Sequence, residues 1–340
     1  MLVQQHTYPR AVRSITCTPI QRFCLLGVLL LSGGIVEAAE PATTEPADVR
    51  TFEVNGKYQA GQQLLLTQAW EMQASRIDAD SDAETVLNKI AVTLEMPVSV
   101  SKSDTPGELN VQMSVRRMAM RSENGGRVQE IDSDKPETLT GSNVSDLMLV
   151  GAHFHAVLDK AGNVKTITPD DEFLNGPHFA NRKPDAKERE IQELGALLTF
   201  YLENPWAYTP NRDVAVGDSW SVLRTTFTVP FLSIRADAEG PPEMPKEDVE
   251  CTLDQIEKMT PRGSAAVINI AGKIKFPKSM EVEQDVTVAG TVRVDVSTGE
   301  LYEHRMDVST AKGGTTIRLT ATTTLSPLPT TQPATAPSKP

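Results

Sequence analysis

Met280-Glu281-Val282-Glu283-Gln284-Asp285-Val286-Thr287-Val288-Ala289-Gly290-Thr291-Val292-Arg293-Val294-Asp295-Val296 puts an apolar side chain at almost every second position. Met280, Val282, Val286, Val288, Val292, Val294 and Val296 fall on one side, and Glu281, Glu283, Asp285, Thr287, Arg293 and Asp295 on the other. That period of two belongs to an extended strand with one wet face. So many β-branched residues would also weaken a helix. Downstream, the Ser297-Thr298-Gly299 turn leads into Tyr302, Met306 and Val308, and Ala311-Lys312-Gly313-Gly314 leads into Ile317, Leu319, Ala321 and Leu325. Strands joined by glycine-bearing turns read as a meander of hairpins.

The same alternation recurs upstream. Leu64, Leu66, Trp70, Met72 and Ala74 share a face, as do Val86, Ile90, Val92, Leu94, Met96, Val98 and Val100. Leu109, Val111, Met113 and Val115 form a third set, and Met148, Val150, Ala152, Phe154, Ala156 and Leu158 a fourth. One segment departs from the period. Ile191, Leu194, Leu197, Leu198, Tyr201 and Leu202 form the stripe of an amphipathic helix over 186–204, with Asp185 placed to cap its start and Asn204-Pro205 to stop it.

The stretches on either side of this helix resemble each other. Gly61 and Gly217 each precede a strand, and Val92-Thr93-Leu94-Glu95 resembles Cys251-Thr252-Leu253-Asp254. Thr105-Pro106-Gly107 answers to Thr260-Pro261-Arg262-Gly263, and the run Val157 to Val164 to the run Val294 to Leu301. The expected fold is therefore mainly β. Two related, strongly twisted antiparallel halves, 56–185 and 205–326, are joined by one helix, and the pattern leaves open a continuous curved sheet, two half-barrels or a sandwich.

Residues 1–38 read as a secretory signal peptide: Arg10, Arg13 and Arg22 precede an apolar run from Phe23 to Val36, with Ala38 at the cleavage point. The run is shorter than the roughly 20 residues a spanning helix needs, so a stable membrane span is not expected. Removing this segment from a chain of 33 basic and 45 acidic residues takes away three arginines and one glutamate, leaving 30 against 44, a net charge of −14. That balance argues against nucleic acid as a partner. Of three cysteines only Cys251 remains, which excludes an intramolecular disulfide. Residues 39–55 and 327–340, rich in Pro and Thr, read as a disordered linker and tail.

Few residues suggest chemistry. His153 and His155 share one side of a strand, as a metal site needs, but lack a third ligand and sit opposite the apolar face; His178 is the only nearby histidine in sequence. His304 and Cys251 fall within apolar alternation and read as core. Asp78, Asp80 and Asp82 have the spacing that opens a calcium loop, but Ala83 and Lys89 stand where glycine and glutamate are required. Asp170-Asp171 reads as a solvated pair, and Asn143-Val144-Ser145 as an incidental glycosylation sequon. No catalytic, metal or cofactor site is assigned, and no Gly-x-Ser-x-Gly, phosphate loop or His-Glu-x-x-His occurs.

Val214-Ala215-Val216-Gly217-Asp218-Ser219-Trp220, with the Asp159-to-Val164 hairpin and the mid-chain helix, resembles a family of uncharacterised exported bacterial β-rich proteins, over most of 50–326. The resemblance implies no activity. Physically, Gly217 permits a reversal, Asp218 and Ser219 bond local backbone, and Trp220 anchors the strand; Trp70 and Trp220 are the aromatics that a ligand-facing reading would single out.

The expected function is that of an exported, periplasmic or extracellular, non-enzymatic protein binding a lipid or other apolar molecule on a concave sheet face. The alternative is a module pairing with other envelope proteins. A hydrolase built on acidic residues or on His153 and His155 ranks third. Protein recovered from its native envelope should begin near Ala39 by N-terminal sequencing; a start at Met1 would remove the exported reading.

Overall fold

The computed structural model describes residues 51–54, 57–77, 83–139, 149–176, 179–180, 182–225, 245–259, 263–276, 286–312 and 314–328. The signal-peptide segment, Asp78, Asp80, Asp82, the sequon and His178 lie outside them.

The strands are β1 (Thr51–Glu53), β2 (Gln63–Ile77), β3 (Glu84–Lys102), β4 (Leu109–Ser114), β5 (Arg117–Asn124), β6 (Arg127–Asp132), β7 (His153–Leu158) and β8 (Val164–Pro169). Then come the one-turn helix α1 (Asp171–Leu174), the long helix α2 (Pro184–Glu203) and a 3-10 turn, Asn204–Trp206. The second set is β9 (Asp213–Ala215), β10 (Ser219–Thr225), β11 (Lys246–Met259), β12 (Gly263–Lys275), β13 (Val286–Asp295), β14 (Leu301–Lys312) and β15 (Thr315–Pro327).

Of the three arrangements the alternation left open, the continuous sheet is the one formed. Its strand order is β10-β11-β12-β13-β14-β15-β2-β3-β4-β7-β8, all neighbours antiparallel, with a separate pair β1-β9. The join is β15 with β2, a ladder running from Thr315 opposite Arg76 to Pro327 opposite Leu64. Among the described residues β10 and β8 do not pair, so the sheet does not close into a barrel.

β3 is long enough to serve two partners on one edge. Its first part, Asn88 to Glu95, pairs β5, and its last, Val98 to Lys102, pairs β4. The β5–β6 hairpin thus forks from the sheet. Its polar surface hid it from period counting, although Met118, Met120 and Ile131 are buried. Arg117 pins the fork, donating to Asp132 at 3.0 and 2.7 Å and to Glu95 at 3.0 Å.

The buried face carries the expected side chains. Leu64, Leu66, Met96, Val98, Phe154, Val288, Val292, Val294, Val308 and Leu319 belong to one core with Leu194, Leu198, Tyr201 and Leu202 of α2. Val86, assigned to that face by period, is instead 50% exposed, with Leu87 at 43%. The reason is a register shift: Ala74 faces Asn88 but Ser75 faces Val86, so Leu87 is extra and the alternation breaks there.

Two boundaries also move. β1 pairs with β9 inside the stretch read as linker 39–55. Helix α2 starts at Pro184, whose ring presets the first helical φ, so Asp185 is within the helix rather than its cap.

The likeness of the halves recurs in their hydrogen bonds, with a different alignment from the one the short matches suggested. Gly61 N–H donates to Val100 O and Val100 N–H to Gln62 O; Gly217 N–H donates to Leu253 O and Leu253 N–H to Asp218 O. Both glycines have left-handed φ, +93° and +96°. Cys251-Thr252-Leu253-Asp254 therefore answers to Val98-Ser99-Val100-Ser101, not to Val92-Thr93-Leu94-Glu95.

Gly272 has an ordinary backbone conformation but no room for a side chain: a Cβ there would lie 2.2 Å from Asp248 O and 2.6 Å from Val249 Cα. Gly272→Ala should therefore force β11 and β12 apart and cost about 1–3 kcal/mol, read as a lower chemical denaturation midpoint.

Candidate ligand-binding cleft

At one end of the β15–β2 seam the strands frame a cleft of about 290 Å³. Its apolar wall is Leu64 at the start of β2, Leu301 at the start of β14, Leu325 and Pro327 at the end of β15, and Trp206 from the turn after α2. Its polar rim is Gln62, Tyr302 and the β13–β14 turn with Asp295, Ser297, Thr298 and Glu300.

The turn is rigid for local reasons. Asp295 Oδ1 accepts from Ser297 N–H at 2.7 Å, Thr298 N–H at 2.8 Å and Ser297 Oγ at 2.6 Å, and Tyr302 OH donates to Oδ2. Although burial opposes ionisation, the hydrogen bonds from Ser297, Tyr302 and Thr298 hold this carboxyl down at about 2. Gln59 reaches across to donate to Thr298 O at 2.5 Å, and Gln62 donates to Glu300 at 3.2 Å, so the segment before β2 is tied to this turn.

Trp206 meets Tyr58 edge to face, with centroids 5.9 Å apart. Its Nε1–H and the Tyr58 hydroxyl are both buried without a hydrogen-bond partner. Native interiors pair more than about nine in ten such groups.

A second polar feature joins the same turn to the sheet. Arg224 Nε donates to the fully buried Glu247 at 2.8 Å, while its Nη2 donates to Asn204 at 2.5 Å and to the Tyr208 hydroxyl at 2.6 Å. Tyr208 OH in turn donates to Glu247 at 2.7 Å, and the Arg224 guanidinium sits 4.5 Å over the Tyr208 ring. Asn204 Nδ2 lies 3.4 Å from His304 Nδ1, which leaves His304 Nε2 buried and unpaired. Burial and then the Arg224 charge lower the imidazole to about 3, so it is neutral. Arg224, Glu247 and His304 stand in register with Trp220, Val249 and Met306, so charges breaking an apolar alternation were the available signal for this network.

The residues singled out by sequence are dispersed. Trp220 is buried and donates from Nε1 to the Tyr208 carbonyl at 3.2 Å; Trp70 is half-buried in mid-β2 between Val92 and Ala321. They are not equivalent positions, because the third residue after Gly217 is Trp220 and the third after Gly61 is Leu64. Asp218 bonds local backbone as expected, accepting from Ala215 N–H at 2.8 Å; Ser219 bonds the Thr252 side chain instead.

His153 and His155 are exposed, with His155 Nε2 2.7 Å from Asp170. Among the described residues no three His, Cys, Asp or Glu side chains converge as a metal site. Cys251 is fully buried, and burial pushes its thiol up to about 12.

Residues 106–301 match the model of a family of unknown function, DUF6263. The chain belongs to that family. The DUF6263 match is narrower than the 50–326 resemblance read from sequence. It takes in Arg224, Glu247 and the rim turn but not β2 or β15, which supply the rest of the cleft.

No curated protein matches the chain. Among solved structures, a lipovitellin structure concerned with lipid–protein interactions aligns at 9% identity and a TM-score of 0.40, over 84% of this chain and 27% of that one. The chain thus spans about a quarter of that protein's length. DynF of the dynemicin pathway of Micromonospora chersina aligns at 10% identity and TM-score 0.19, covering 84% of this chain and 92% of that one. The translocator domain of the autotransporter NalP of Neisseria meningitidis aligns at 8% and 0.22, covering 79% and 89%. These likenesses are too distant to carry an argument about function. Among the described residues no helix is long and apolar enough to cross a membrane.

Glu247→Gln leaves the buried guanidinium without its counter-charge and should cost about 3–5 kcal/mol. Arg224→Met combined with Glu247→Leu should recover most of that loss in denaturant titrations.

The pH dependence has a definite sign. His304 takes up a proton in the unfolded chain near pH 6.5 and in the folded chain only near 3, so stability falls as pH drops through that window. The loss at pH 5 is about 2 kcal/mol. Asp132 and Asp295, both lowered to about 2, act only below about pH 4. Glu203, raised by burial, works in the opposite direction, so the comparison with His304→Gln isolates the imidazole. Thermal melts should show wild type losing stability between pH 7 and 5 and the variant losing much less.

Proposed function

We propose that this chain is an exported, non-enzymatic protein, periplasmic or extracellular, that holds an apolar small molecule such as a lipid or acyl chain in the cleft at the β15–β2 seam. The observation that carries the reading is the cleft itself. It has an apolar wall of Leu64, Leu301, Leu325, Pro327 and Trp206 under a polar rim, and an indole donor with no protein partner. Concave sites with mostly apolar walls and a few convergent polar groups are the usual form of small-molecule sites, and 290 Å³ lies near the lower end of their roughly 300–1,000 Å³ range. The concave-face ligand suggested by the alternation thus becomes an end-of-sheet ligand, since the mid-sheet positions Leu66, Met96 and Val98 are already fully buried by protein.

A second reading, an envelope protein-interaction module, draws on one observation. Ile77, Val86 and Leu87, exposed by 40, 50 and 43%, gather at the free end of the β2–β3 pair. Cross-linking in the envelope through an engineered site at Leu87 should then trap one defined protein.

Native mass spectrometry of protein purified from its own envelope should show a mass increment that organic extraction removes. The emptied protein should bind a hydrophobic dye that is displaced by the extract. A chain that is empty when isolated and takes up no dye would end the ligand reading.

A further inference from the structure

The cleft also constrains which apolar molecule could occupy it, and this inference rests on the ligand reading above. The charged side chains lining it are Asp295 and Glu300; no lysine, arginine or histidine lines it. Asp295 is committed to the carboxylate form by its turn, with Oδ1 taken by Ser297 and Thr298 and Oδ2 by Tyr302. Glu300 already accepts from Gln62. Two fixed negative charges at the mouth repel an anionic head group, and no cation offsets them. A cationic head group gains little from Asp295, because both of its oxygens already have donors.

The interior makes the complementary demand. Trp206 is 9% exposed and offers a buried Nε1–H with no acceptor, and an indole nitrogen can only donate. Its ring is held by Tyr58 at 5.9 Å, so the donor keeps a fixed position in the wall. A ligand that satisfied it would carry an uncharged acceptor oxygen within an apolar body.

We propose that the cleft selects uncharged lipid-like esters or amides, whose carbonyl accepts from Trp206 Nε1–H, and rejects free fatty acids and phosphate-headed lipids.

Isothermal titration of the mature protein, emptied by extraction, with 1-monolaurin, methyl laurate, laurate and dodecylamine at neutral pH tests this directly. The two esters should bind, with laurate weaker by about tenfold or more. Glu300→Gln, which keeps an amide oxygen for Gln62, should narrow the gap between laurate and monolaurin by strengthening laurate alone. Trp206→Phe, which keeps a ring beside Tyr58 but loses the donor, should weaken both esters by about fivefold or more while leaving the circular dichroism spectrum unchanged.

Laurate or dodecylamine binding as tightly as monolaurin, or a Trp206→Phe protein that folds and binds esters like wild type, would overturn the selectivity and leave the cleft as an apolar site. If none of the four probes binds, the ligand reading itself falls.

Discussion

The β15–β2 ladder is the constraint on which the rest of the molecule hangs. Without it the chain would be two meanders, each with an unpaired edge and a half-buried apolar face; with it there is one sheet and one core. Its strands lie at opposite ends of the described chain, with Pro327 opposite Leu64, so its closure entropy is set by more than two hundred intervening residues. That cost grows only logarithmically with length, and a ladder this long, flanked by buried Leu66, Met72, Leu319 and Leu325, offsets it. The short β1–β9 pair fastens the two halves a second time, at the point where the chain leaves α2 for the second meander.

The seam also creates the cleft. Leu64 and Pro327 end the ladder where β14 is just beginning, and the turn before β14 is one residue longer between its aspartate and its glycine than the matching β7–β8 turn. Asp159 N–H bonds Asn163 O and Gly162 bonds back to Asp159, whereas Asp295 N–H bonds Glu300 O and Gly299 bonds back to Asp295. A longer, acid-capped turn projects past the sheet and walls off the mouth. The same hairpin in the first half carries no such rim, so a structural repeat has been made unequal by one inserted residue.

The Arg224–Glu247–Tyr208 network does a different job. A buried ion pair rarely adds net stability over apolar residues of the same shape, because desolvation consumes most of the attraction. What it adds here is position: the side chains of Asn204, Tyr208, Arg224 and Glu247 are satisfied together only when the turn after α2 sits over β10 and β11 in one register. Trp206 lies within that turn, so the network holds the cleft's aromatic wall in place relative to the sheet.

Much of this was legible in residue order alone. Alternation fixed the identity of β2, β3, β4 and β11 to β15 and their inner faces, because the pleat forces side chains to opposite sides whatever the partner strand is. The helical stripe of Leu194, Leu198, Tyr201 and Leu202, and the burial of Cys251 and His304, followed from the same geometry. The β5–β6 fork, the extra residue at Leu87, the eight-residue offset between the repeats and the partner of β15 did not, since periodicity says which way a side chain points but not what lies across from it. The cleft residues Leu64, Trp206, Asp295, Leu301 and Leu325 come from five separate elements, and Trp206 hardly differs in sequence from Trp70 or Trp220. Sequence thus determined the strands and their buried side; pairing over long range, which depends on the summed fit of whole ladders, decided where the two halves meet and what stands at that edge.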